Sequence, residues 1–160
     1  MKGFILSLWM GAIFHPITAS AQTDEGLADL QARVGVETFA ATCLATFPSF
    51  DGIGALFERE ALEKKSSAFW SAKGDFVSAS LSDDKSQCFL SIAKTSGKNV
   101  IPFLIAALDK IDPDWQIGES SGLPAARVRG QSGYFIVRII PPGAEKRTGL
   151  LVSPMASQSP

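Results

Sequence analysis

The chain has 160 residues, with 15 Lys+Arg against 16 Asp+Glu and a formal charge of −1. That balance argues against a nucleic-acid binder and against strong attraction to an anionic membrane. The length suits one domain with a real core, and a single histidine and two cysteines leave most catalytic and metal templates without residues.

Residues 1–21 read as a signal peptide. Lys2 supplies a short basic start, and Phe4 to Phe14 is nearly all apolar. That run is too short for a membrane span, which needs about 20 residues. His15-Pro16 breaks it, and Ala19-Ser20-Ala21 fits the small-x-small rule, so cleavage is expected after Ala21. No cysteine at that point marks a lipoprotein and no twin arginine marks another route. The expectation is a periplasmic or secreted protein with no stable membrane insertion after cleavage. Cleavage removes Lys2 and His15, leaving 14 Lys+Arg against 16 Asp+Glu, a formal charge of −2, and no histidine at all.

Gln22–Gly35 reads as an N-terminal arm or a short helix. Leu27, Leu30 and Val34 have helical spacing, but Gly26 and Gly35 weaken it. In Val36–Phe47, Val36, Phe39, Ala40, Cys43, Leu44 and Phe47 form one apolar stripe, and Pro48 stops the helix. Asp51 is expected to cap a second helix carrying Ile53, Leu56 and Phe57, with Glu60–Lys64 as an i, i+4 pair. Ser66–Gly74 reads as a loop.

Phe76–Leu81 and Ser86–Lys94 read as antiparallel strands around a polar turn, Ser82–Lys85. Asn99 is expected to cap a third helix ending at Ile111, with Pro102 in its first turn. Trp115–Glu119 follows as a short strand. Ala125–Gly130 and Tyr134–Ile140 predict a hairpin turning at Gln131-Ser132, and Thr148–Val152 a last strand. The predicted fold is a single α+β domain over residues 36–152. It has an antiparallel sheet of about five strands, three helices packed mainly on one face and one disulfide, with a disordered tail over 153–160.

Cys43 falls on the apolar stripe of its helix, and Cys88 falls on the face of its strand that carries Leu90 and Ile92. In an exported chain, two such cysteines predict a disulfide. Their spacing excludes a CxxC redox site.

With no histidine after cleavage there is no Ser-His-Asp triad, no Cys-His pair and no usual zinc set. Thr95-Ser96-Gly97-Lys98 lacks the spacing of a phosphate loop. Asp112, Asp114 and Glu119 lack the spacing and glycine of an EF-hand. No catalytic residue, metal or cofactor is therefore assigned. One pattern does suggest chemistry. A two-residue turn at Gln131-Ser132 places Arg129 opposite Tyr134, Arg127 opposite Ile136 and Ala125 opposite Arg138, all on the outer face. Arg127, Arg129, Tyr134 and Arg138 are thus the candidate binding residues for an anionic group. The expected function is that of a non-enzymatic domain binding a protein or an envelope component. The alternatives are a hydrolase using paired carboxylates, or a small-molecule carrier built around Phe69 and Trp70.

Overall fold

The computed structural model describes residues 24–155. The expected signal peptide and the last five residues lie outside them. The architecture is α+β: three α-helices and one antiparallel sheet of eight strands, more than the predicted number of about five. Helix α1 (Asp24–Phe39) runs on into a π-helix (Ala40–Leu44), and α2 is Ile53–Arg59. Strands β1 (Leu62–Lys64), β2 (Phe69–Ala72), β3 (Val77–Leu81) and β4 (Cys88–Ala93) follow. Then come α3 (Gly97–Leu108) and β5 (Gln116–Ser120), β6 (Leu123–Gly130), β7 (Gly133–Ile140) and β8 (Arg147–Pro154). Among the described residues, no helix is long and apolar enough to cross a membrane.

The strand order is β1-β2-β3-β4-β8-β7-β6-β5. Each half of the domain is helical first and then four strands, and the halves join through their last strands, β4 and β8. Strand alternation divides the sheet into two unlike faces. One carries Trp70, Ala79, Leu90, Ile92, Leu150, Val137, Phe135 and Val128, all buried. The helices meet this face: Gly35 of α1 sits against Ile92, Phe57 of α2 against Trp70 at 5.0 Å between rings, and α1 packs on α3.

The added strands and the shifted boundaries have local causes. Residues 24–35 belong to α1 and are not an arm. Leu27 and Leu30 stay exposed, but Ala32 and Gly35 are buried, and Asp29 Oδ1 accepts a 2.8 Å bond from Asn99 Nδ2 on α3. The second helix stops at Arg59, because Ala61 takes a left-handed φ of 60°. Lys64 then lies in an edge strand, so the Glu60–Lys64 helical pair does not form; Lys65 instead reaches Glu63 at 2.8 Å. Gly52 at φ 71° is the N-cap of α2, and no side chain caps it, Asp51 included. Residues 69–72, expected in a loop, pair with β1 and β3.

Helix α3 is capped one turn earlier than expected. Ser96 is its N-cap, and Asn99 Oδ1 accepts from the Ser96 backbone N–H at 3.2 Å and from its hydroxyl at 2.7 Å. Pro102 therefore sits in the second turn, where it forfeits one helical hydrogen bond. Ser153 and Pro154, expected in the tail, pair with Ile136 and Phe135 as the end of β8.

The turn between β3 and β4 is held by one carboxylate. Asp84 Oδ1 accepts from the Ser82 hydroxyl at 2.6 Å and from the Ser86 N–H at 3.0 Å, and the Ser86 hydroxyl adds bonds of 2.8 Å. These donors favour the ionised form, the Ser82 hydroxyl most, and lower the pKa from 3.8 to about 2. A folded pKa below the unfolded one gives stability that is present above pH 3.8 and lost as pH falls toward 2. An NMR titration of the Asp84 carboxyl is expected to show a midpoint near 2, with Ser82→Ala moving it back toward 3.8. A midpoint already at the ordinary value in the unaltered protein would refute the hydrogen-bonded turn.

Candidate binding face on the open side of the sheet

Among the described residues, no helix packs on the second face of the sheet. Arg127, Arg129, Tyr134, Ile136, Arg138, Arg147 and a set of serines project from it. The hairpin has the expected register: Arg129 pairs with Tyr134, Arg127 with Ile136 and Ala125 with Arg138, and Gly130 meets Gly133 across the turn. Turn length and alternation fix that register, because the apolar partners Ala126, Val128, Phe135 and Val137 must all face the core.

Side-chain positions refine the pattern. The guanidinium over the Tyr134 ring, 4.2 Å from its centroid, belongs to the diagonal Arg127 and not to the directly opposed Arg129. An arginine stem is long enough to lean two residues along the strand and lay its planar group on the ring. Arg129 is held through its backbone: its N–H donates to Asp112 Oδ2 at 2.7 Å, while Asp112 Oδ1 accepts from the Asp114 N–H at 3.1 Å. Both Asp112 oxygens are thus occupied by main-chain donors. The segment after α3 buttresses β6 in this way and completes a polar cavity of about 270 Å³. Asp112, Asp114, Gln116, Arg127, Arg129 and Tyr134 line it.

Among the described residues the ion pairs are Arg33–Glu37, Arg59–Glu60 and Lys65–Glu63. Neither Arg127 nor Arg129 is in one. Two exposed arginines therefore stand beside Tyr134 with neither guanidinium in an ion pair. Asp112 and Asp114 share this cavity, but Glu119 lines a neighbouring depression with Arg127. Among the described residues, these three acids, whose spacing does not match an EF-hand, do not form one cluster.

Arg138 is placed differently from its three companions. It is half-buried and lies across the strands, donating to Ser120 Oγ at 2.8 and 3.0 Å and to Ser153 Oγ at 3.3 Å. It ties β5 and β8 across the intervening strands, and its donors point into the sheet. Arg147, which the sequence did not single out, does the same at the other end. It donates to Ser91 Oγ at 2.7 Å, Asp75 O at 2.8 Å and Ser78 Oγ at 3.2 Å. The only sequence signal for Arg147 was its place one residue before the predicted last strand.

Phe69 and Trp70 are neighbours in β2 and so point to opposite faces. Trp70 is buried under α2, and Phe69 is exposed on the open face. They therefore do not line one pocket together; Phe69 lines a cavity on the open face. No family model matches the chain, and neither a curated protein nor a solved structure matches it.

Proposed function

We propose that this is a non-enzymatic binding domain acting outside the cytoplasm, which captures an acidic group of a protein or envelope component on its open sheet face. The observation that carries the reading is the pair of exposed arginines, Arg127 and Arg129, that stand beside the exposed Tyr134 with neither guanidinium in an ion pair. Arginine offers a planar fork of donors suited to carboxylate and phosphate, and an aromatic beside it adds area that is desolvated on contact. The β6–β7 register and the Asp112 buttress fix the group before binding, which lowers the ordering cost of association. The signal-like segment and the paired cysteines support a location where disulfides persist.

Arg138 is a poor test residue, since removing it strips bonds from three strands. The informative variant is Arg127→Ser with Arg129→Ser. Pull-down from an envelope extract with the oxidised protein is expected to lose at least about tenfold in capture, as for arginine anchors elsewhere. The circular dichroism spectrum should stay native, and raised salt should weaken capture by the unaltered protein. Undiminished capture by the folded double variant would retire this face.

A further inference from the structure

A separate cavity lies on the opposite side of the sheet. It is a cleft of about 640 Å³ between the C-terminal parts of α1 and α3, floored by the β6–β7 hairpin. Its volume falls within the roughly 300–1,000 Å³ usual for small-molecule sites. Small side chains make the room: Ala40 and Ala41 on one wall, Ala106 and Ala107 on the other. Phe103 and Phe135 supply apolar surface, and Phe135 is locked in place by Phe47 at 4.9 Å between rings.

A second observation falls on the same wall. Helix α1 turns to π geometry over Ala40–Leu44. Such widened turns are rare and are found disproportionately at functional sites. Here the π-helix directs Thr42 and Cys43 into the core, both fully buried, and presents Ala40, Ala41 and Leu44 to the cleft. The Cys43–Cys88 bond then anchors that wall to β4.

The polar groups of the cleft are Glu37, Lys110, Gln131 and Ser132. Glu37 is neutralised by Arg33 at 2.9 Å. Lys110 has no ion-pair partner among the described residues, so the unmatched charge at this cleft is positive. An apolar slot with one free ammonium and nearby amide and hydroxyl donors is complementary to an anionic head on a hydrocarbon chain. We infer that this cleft binds a single-chain anionic amphiphile, with the acyl chain between the alanine walls and its carboxylate at Lys110.

The site is separate from the arginine face, so each reading fails or stands by itself. Sodium dodecanoate, kept below its micellar concentration, is the probe, with dodecanol and dodecyltrimethylammonium as comparisons. Calorimetry on the disulfide-bonded protein is expected to give one site for dodecanoate, with amide shifts confined to Ala40, Ala41, Ala106, Ala107 and the 130–132 turn. Lys110→Gln is expected to weaken dodecanoate about fivefold, as for an exposed ion pair, and to leave dodecanol unchanged. Ala107→Trp should fill the slot and abolish both. Lys110 is exposed, so K110Q does not threaten folding and decides the matter even where the tryptophan variant is unstable. Equal or tighter binding of the ammonium amphiphile, shifts located elsewhere, no shifts, or dodecanoate binding indifferent to K110Q would each overturn the assignment.

Discussion

Removal of the Cys43–Cys88 bond is expected to lower stability by roughly 4 kcal/mol, on the chain-entropy account of a loop of this length. The two residues are 45 apart in sequence, their Cα atoms are 5.7 Å apart, and both are fully buried. The bond joins the π-helix to β4, a central strand paired with β3 and with β8. Domains of this kind have about 5–15 kcal/mol in all, so a Cys43→Ala/Cys88→Ala variant sits near the lower limit. A drop in melting midpoint of roughly 10–20 °C follows from the usual unfolding entropy of a domain this size. Melts of the unaltered protein with and without reductant should reproduce the shift, and thiol titration of the unfolded, unreduced protein should find no free thiol. A double variant that melts within a degree or two of the parent would show that the crosslink does not constrain the unfolded chain.

The bond was legible because both cysteines sat on apolar faces whose periods, 3.6 and 2, could be read independently. The hairpin register was legible for a similar reason: a two-residue turn and a clean alternation leave one solution. Strands β1 and β2 were not. Leu62-Glu63-Lys64 is three residues long with two charges, and the segment around Phe69–Ala72 is broken by serine, lysine and glycine, so neither shows a period.

At the site, sequence brought Arg127, Arg129 and Tyr134 together but could not say which arginine covers the ring. It could not see Asp112 reaching Arg129, because that contact spans seventeen residues and depends on how α3 ends. It also counted Arg138 as a free donor, since bonds to Ser120 and Ser153 exist only once three hairpins are assembled. The cleft behind the hairpin was invisible for a further reason: alanines on a helix face look like ordinary helix formers until a second helix stands opposite them.

Gly35 shows most sharply how a local reading can miss a packing role. As a residue in a helix it counts only as a loss of about 1 kcal/mol against alanine. In the structure it is buried in α1, and a methyl group there would overlap the side chain of Ile92 on β4. Ile92 is fully buried, and two of its crowded atoms stand on a branched β-carbon with little freedom to turn. Gly35→Ala is therefore expected to destabilise the domain by about 1–2 kcal/mol, the strain of overpacking exceeding the gain in helix propensity. Ile92→Ala alone should cost about 2–5 kcal/mol by opening a cavity. In the double variant the new methyl at position 35 enters the space that Ile92 vacates. The two changes should then be less damaging together than their separate costs imply, with a favourable coupling of about 1 kcal/mol or more. Denaturant melts of the four proteins measure that coupling directly. If Gly35→Ala instead stabilised the domain by its helix propensity, the close contact between α1 and β4 would not exist, and Gly35 would be an ordinary weak point in a helix.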